Sequence, residues 1–213
     1  MHNFDNFVSA LRESLNNEPK PMSSLHNKMS PVTRKLQNYL SKNKPGSQKK
    51  ARQSAVLILI YPIDNIPHIL FIKRAKDKTV HSGQISFPGG KKEDTDTSHV
   101  VTALREADEE VGISIDSIEV FGQLTKFYIP PSNFEVHPVI GVSFKQPTFV
   151  TNHEVDRIIE VKIGDLTNSQ NHTYKKIKIS GGNEYVVPCY YVNKEVIWGA
   201  TAMILSELMN LLE

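Results

Sequence analysis

The sequence predicts an α/β domain layered around a mixed β-sheet, with a helical extension at its N-terminal end. Two observations lead there. Apolar runs of strand length alternate with segments of helical period through most of the chain, an order that implies a layered mixed sheet rather than a helix bundle or a β-sandwich. A polar stretch around Pro45, Gly46, Lys49, Lys50 and Arg52 separates this pattern from the first fifty residues, so residues 1–50 read as a helical extension and linker and residues 51–213 as the main domain.

The bulk numbers fit one domain with an appendage. With 213 residues the chain can bury a full core but not two large ones. A net charge of +2 from 25 basic and 23 acidic residues creates no strong field, so no nucleic acid or anionic membrane is expected as a partner. Cys189 is the only cysteine, which excludes an internal disulfide framework and a cysteine-rich zinc site and makes the cytoplasm the expected location. No apolar run reaches the roughly 18 residues of a membrane span.

Phe4, Phe7, Val8, Leu11 and Leu15 recur at three- and four-residue steps and predict an amphipathic helix. A second short helix is expected after Ser30-Pro31, with Val32, Leu36 and Leu40 on one side. Ala55 to Tyr61 and His68 to Ile72 are apolar runs around an Asp64-Asn65 turn, and they predict a buried hairpin that ends in Lys73 and Arg74. Ser98 to Val111 turns helical, with Gly112 as its C-terminal cap. Strands are expected at Ile118–Phe121, Val136–Phe144, Ile158–Val161 and Tyr185–Tyr191, and a closing helix at Ala200–Leu212.

The chemistry concentrates on the Ser98–Val111 helix. Glu106, Glu109 and Glu110 stand at i, i+3 and i+4 and therefore share one face. Like charges so spaced destabilise a helix by a few tenths of a kcal/mol per pair, and a divalent cation reverses that sign. Magnesium takes hard oxygen ligands and is content with one or two carboxylates plus water and phosphate. Arg105 is placed to orient a carboxylate. Upstream, Phe87-Pro88-Gly89-Gly90 lets the backbone approach a metal or a phosphate closely.

Together these residues resemble the Nudix box, G-x5-E-x7-R-E-U-x-E-E-x-G-U with U a bulky apolar residue, matched here from Gly90 to Ile113. Asp96 stands where the first glutamate is expected, the gap to Arg105 is one residue longer, and Ala107 replaces a bulkier side chain. The preceding RAKDKTVHSGQISFPGG resembles the second signature of the coenzyme A pyrophosphatase branch, with Thr79 in place of its second arginine and Phe71-Ile72 in place of its Leu-Thr. NHEVDRIIEVKIGDL and VIWGATAMIL look like later segments of that branch, so the likeness runs from about Arg52 to Leu208.

The resemblance implies an α/β/α Nudix sandwich. It also implies Mg²⁺-dependent hydrolysis, with Mn²⁺ as a substitute, of coenzyme A or a derivative to 3′,5′-ADP and 4′-phosphopantetheine. Carried over by position, Glu106 and Glu110 would be metal ligands, the Gly90 carbonyl an additional one, and Glu109 either a ligand or the base, with Arg105 supporting it. Glu154 would be the second candidate base, while Arg74, Lys73 and Gly89 would hold substrate phosphates. Two other readings stay open: a Nudix pyrophosphatase acting on ADP-ribose or another nucleotide, and a catalytically silent Nudix-like binding module. The N-terminal helices would either mediate self-association, giving a homodimer, or cover the site.

Overall fold

The computed structural model describes residues 3–17, 29, 51–76, 82–129, 132–178 and 184–212. Helix α1 (Phe4–Asn16) starts at Asn3, whose side chain accepts from the Asp5 amide at 2.8 Å. Its expected stripe is buried: Phe4, Phe7, Val8 and Leu11 join the same apolar cluster as the central strands. Fully burying one such side chain is worth about 1.5–3 kcal/mol, so α1 is anchored to the core rather than hanging from it. The helix expected after Ser30-Pro31 and the linker at Lys49 and Lys50 lie outside the described residues.

Strands β1 (Arg52–Ile63) and β2 (Ile66–Arg74) form the expected hairpin on Asp64-Asn65, both of which take positive φ (50° and 62°) as a tight hairpin turn requires. The strands are paired only from Ile60↔Ile69 to Ile63↔Ile66 and then fork. Into the fork goes the segment that carries β3 (Ile85–Ser86), paired with β2, and β4 (Gly89–Lys91), paired with β1. Phe87 plugs the fork, 2% exposed and 4.9 Å from the ring of Phe71, and the Pro88 carbonyl accepts from Leu57 N at 2.8 Å. This wedge fixes Gly89 and Gly90 on β1.

Helix α2 (His99–Val111) follows, capped by the Ser98 hydroxyl and closed by Gly112 at φ 66°. Strands β5 (Glu119–Gln123), β6 (Phe127–Ile129), β7 (Phe134–Val142) and β8 (Val155–Lys162) complete an eight-stranded sheet. β7 runs parallel to β1 and the other pairings are antiparallel, so the sheet is mixed, as expected. After the short α3 (Ile163–Thr167), β9 (His172–Lys178), β10 (Glu184–Val192) and β11 (Glu195–Trp198) form a second, antiparallel sheet, and α4 (Gly199–Leu211) closes the chain. The second sheet is added to the expected mixed one.

The central strands are apolar on both faces because both are covered. Leu57, Leu59, Tyr61, Leu70 and Ile72 pack with Ala103, Ala107 and Val111 of α2. Ile58, Ile60, Ile69 and Phe71 pack with α1 and α4 on the other side. The layers are therefore α/β/α. Among the described residues no helix is long and apolar enough to cross a membrane.

Candidate functional site

Helix α2 lies with Thr102, Ala103 and Ala107 toward the sheet, and this orientation brings Glu106 and Glu110 to the Gly89-Gly90 bend, with Glu109 exposed beside Arg105. Glu110 is the innermost, 3% exposed. One of its oxygens accepts from Gly89 N at 2.8 Å, and the other faces Arg74 Nη1 at 3.3 Å. Arg74 also reaches Glu154 through Nη2 at 3.4 Å. Four of the expected site residues, Gly89, Glu110, Arg74 and Glu154, are thus brought into one constellation.

Glu106 lies beside Gly90 so closely that a Cβ built on the glycine would stand 2.6 Å from Glu106 Oε1, inside any normal contact. Gly90 is therefore a glycine because the carboxylate occupies the space a side chain would need. Gly89 has the same need for a different reason, since its Cβ would meet the Val56 Cα at 2.6 Å.

Arg105 organises the outer part of the site. Its Nε and Nη2 donate to the two oxygens of Asp96, each at 3.0 Å. Nη2 also donates to Glu106 Oε1 at 3.0 Å and to the Lys91 carbonyl at 3.1 Å, while Nη1 spans both oxygens of Glu109 at 3.2 and 3.1 Å. One guanidinium therefore holds two of the three glutamates and ties the helix to the loop that enters it. Asp96 receives further bonds from the Thr102 hydroxyl at 3.0 Å and the Glu93 amide at 2.9 Å. The sequence marked Asp96 only as a departure from a motif. Its role in clasping Arg105 was not legible, although an aspartate nine positions before an arginine that opens an acidic helix face was the available signal.

The two ends of the site differ electrostatically. Burial pushes the Glu110 carboxyl up to about 7, with Glu106 and Glu154 adding to the rise and the Gly89 amide and Arg74 opposing it. Burial raises Glu106 as well, against the pull of Arg105. In contrast, the hydrogen bonds of Arg105 hold Asp96 well below the usual carboxylate range.

Lys73 is not brought to this cluster. Strand alternation puts it on the other face of β2 from Arg74, where its ammonium lies 3.5 Å from Glu195 Oε2, and Arg157 pairs with the same glutamate. Among the described residues, no three His, Cys, Asp or Glu side chains stand in metal-ligating geometry. Glu109 is turned onto Arg105, and Glu110 onto Gly89 and Arg74.

The donor set nevertheless fits a hard divalent cation. Two half-buried to buried carboxylates with raised proton affinity stand next to a third, beside a backbone bend kept free of side chains. A cation at this ridge would stabilise the ionised Glu110 against the burial that raises it.

Comparison with known proteins gives an independent reading. The NUDIX domain model matches residues 51–180. The chain is 32% identical over 170 residues to the uncharacterized Nudix hydrolase NudL of Yersinia enterocolitica, covering 79% of this chain and 86% of that protein. It is 35% identical over 164 residues to NudL of Pectobacterium atrosepticum, covering 74% and 81%. It is also 32% identical over 162 residues to the mitochondrial coenzyme A diphosphatase NUDT8 of Homo sapiens, covering 75% and 69%. A crystal structure of a MutT/nudix family protein from Enterococcus faecalis matches with a TM-score of 0.52 over 91% of this chain and 74% of that one, at 17% identity, which bears on the fold alone.

Proposed function

On the premise that this chain belongs to the Nudix hydrolase family and is a pyrophosphatase, we propose that its substrate is coenzyme A or a coenzyme A derivative, cleaved with a divalent cation held on α2. The observation that carries the metal part is Glu110, a buried carboxyl with raised proton affinity, fixed by the Gly89 amide at the point where Glu106 and Gly90 converge. The substrate part is supported by the likeness to the human coenzyme A diphosphatase and by the FPGG segment that wedges between β1 and β2.

In this reading Glu106, Glu110 and the Gly90 carbonyl hold the cation, and Glu109 ligates a second ion or takes the proton. The chemistry a bound Mg²⁺ supplies, with Mn²⁺ as its substitute, is neutralisation of the diphosphate and acidification of a water. Water adds to one phosphorus, the bridging oxygen leaves with the other phosphate, and a carboxylate accepts the proton released. With coenzyme A the products are 3′,5′-ADP and 4′-phosphopantetheine.

The chain's own residues prepare this step. Arg105 keeps Glu109 extended toward solvent, where the carboxylate is 55% exposed and can exchange a proton. Arg74 spans Glu110 and Glu154. With Glu110 neutralised by a bound cation, the Arg74 guanidinium would be free to pair with the diphosphate oxygens. Glu154, on the loop before β8, is the alternative base, brought to the cluster by its contact with Arg74. We also propose a cytoplasmic location, the compartment expected from the chain's single cysteine.

A substrate panel with Mg²⁺ tests the assignment. Coenzyme A is expected to show a kcat/KM at least about tenfold above ADP-ribose, diadenosine phosphates and nucleoside triphosphates, a difference worth ~1.4 kcal/mol of transition-state binding. Coenzyme A hydrolysis no faster than that of ADP-ribose overturns it.

A further inference from the structure

Among the described residues the carboxylate of Glu154 has a single hydrogen-bond partner, Arg74 Nη2 at 3.4 Å, and it is half exposed. Its backbone is held far more firmly. The Glu154 amide donates to Asn152 Oδ1 at 2.8 Å and the Glu154 carbonyl accepts from Ala75 N at 2.8 Å, so both main-chain polar groups are bound although the residue lies on a loop. Asn152 is bound in its turn: its own amide donates to the Glu110 carbonyl at 3.2 Å, and its carbonyl accepts from Val155 N at 3.3 Å. Two residues earlier, Val150 N donates to the Val111 carbonyl at 2.9 Å. Carbonyls in the last turn of a helix have no partner within it, and here the loop supplies two of the missing donors to α2.

A closed circuit results. It runs from the Glu110 carbonyl to Asn152, from the Asn152 side chain to Glu154, and from the Glu154 carbonyl to Ala75. It returns through Arg74, the preceding residue, whose guanidinium spans the carboxylates of Glu154 and Glu110. The charge of Glu154 reaches the metal ridge, since it adds to the proton affinity of both Glu106 and Glu110. The strand pairing is adapted to this circuit. β2 and β8 stay in register up to Lys73↔Arg157, but the next pair is Arg74↔Val155, which leaves Asp156 as an extra residue on β8. Such a bulge bends its strand and re-aims what adjoins it. Val155, buried in the cluster beneath α2, therefore stands opposite Arg74, and Glu154 comes to the end of β2 beside Ala75.

A side-chain oxygen that accepts from the amide two residues on is a turn that asparagine and aspartate both make readily. Aspartate at position 152 would add one more negative charge to a cluster that already holds Glu106, Glu109, Glu110 and Glu154, whereas asparagine supplies the acceptor without the charge. The firm backbone and the singly held carboxylate of Glu154 suit a group that changes partner while its main chain stays in place. Arg74 cannot hold that carboxylate throughout a reaction in which its guanidinium goes to the diphosphate. We propose that Asn152 is a positioning residue that keeps Glu154 at the metal ridge when Arg74 leaves it for the substrate, an inference that rests on the reading of α2 as the cation-binding ridge of a pyrophosphatase.

A double-mutant cycle on the full-length protein with Mg²⁺ tests this, run on whichever diphosphate of the substrate panel the wild type turns over fastest, so that it reads equally well if that compound is not coenzyme A. Glu154→Gln is expected to lower kcat about a hundredfold, as when a general base is lost. Asn152→Ala should lower kcat about tenfold with KM within about twofold, and the double variant should lie within about twofold of Glu154→Gln alone. Asn152→Asp, which keeps the acceptor, should hold kcat within about threefold of wild type. In metal-free melts Asn152→Ala should lower Tm by no more than about 4 °C, the shift that one hydrogen bond is worth in a chain of this size. If Asn152→Ala lowers kcat by the same factor with Glu154 or Gln at position 154, if Asn152→Asp loses as much as Asn152→Ala, or if Glu154→Gln keeps full turnover, the positioning role falls and the pyrophosphatase reading stands. If Glu110→Gln keeps full turnover in the same assay, the reading of α2 as the cation ridge falls, and the cycle still decides whether Asn152 acts through Glu154.

Discussion

Asp96 and Glu110 are both buried carboxylates, 4% and 3% exposed, and each faces an arginine. Asp96 meets the guanidinium of Arg105 through two bonds at 3.0 Å and receives a hydroxyl and an amide besides, and its proton affinity drops. Glu110 meets Arg74 through one longer contact that Arg74 shares with Glu154, and its proton affinity rises. Burial raises the proton affinity of both carboxylates, but it prevails only in Glu110. The number of donors that remain on the charge decides it: Asp96 is saturated, whereas Glu110 keeps a deficit that a metal ion would fill.

The largest expected break in this comparison comes from Glu110→Gln. Turnover should fall by about a hundredfold or more, as when a group stabilising transition-state charge is lost, and Mg²⁺ should no longer raise the melting temperature. Steady-state kinetics and thermal melts with and without Mg²⁺ check both. At the saturated end, Asp96→Asn should instead act on stability. Leaving Arg105 without its buried partner is expected to cost about 3 kcal/mol, or ~6–12 °C in Tm, in metal-free melts. A harmless Asp96→Asn would remove the distinction between the two carboxylates.

A titration sharpens the contrast. In the unfolded chain Glu110 releases its proton near 4.5, and in the folded protein near 7. Between those values the folded state holds a proton that the unfolded state has lost, so this group's contribution to metal-free stability falls as pH rises through the window and is level above it. His99 and His137, pushed down by burial, oppose that slope, so the quantity to read is wild type minus Glu110→Gln. The difference should change by roughly 3 kcal/mol between pH 4.5 and 7.5, in urea unfolding with chelator present, and a flat difference would mean that Glu110 titrates normally. The smallest effect is expected from Gly90→Ala. Its new methyl group displaces only the end of the Glu106 side chain, so Mn²⁺ affinity by calorimetry should fall about tenfold, ~1.4 kcal/mol, with little change in fold stability.

Much of this site was legible in the sequence, because local periodicity encodes it. The spacing of Glu106, Glu109 and Glu110 needs only a helix to place them together, and Ser98 and Gly112 mark that helix at both ends. The α1 stripe and the Asp64-Asn65 hairpin were legible for the same reason. What depends on non-local pairing was not. Strand β9 reads His-Thr-Tyr-Lys-Lys-Ile-Lys, too polar to announce a buried strand, and exists because β10 pairs with it. Gly89-Gly90 carries no local strand signal but forms β4, since β1 and β2 fork and leave β1 an open edge. Lys73 and Arg74 looked like one phosphate clamp; the pleat sends them to opposite faces, one to Glu195 and the other to Glu110.

The central claim is that the α2 ridge and the diglycine bend hold a divalent cation. Anomalous diffraction from crystals soaked in MnCl₂ tests it most directly. A peak within coordination distance of Glu106, Glu110 and the Gly90 carbonyl, with Arg74 swung off Glu110, is the result predicted. Crystals that hold manganese elsewhere, or none at all while Arg74 stays on Glu110, would contradict it.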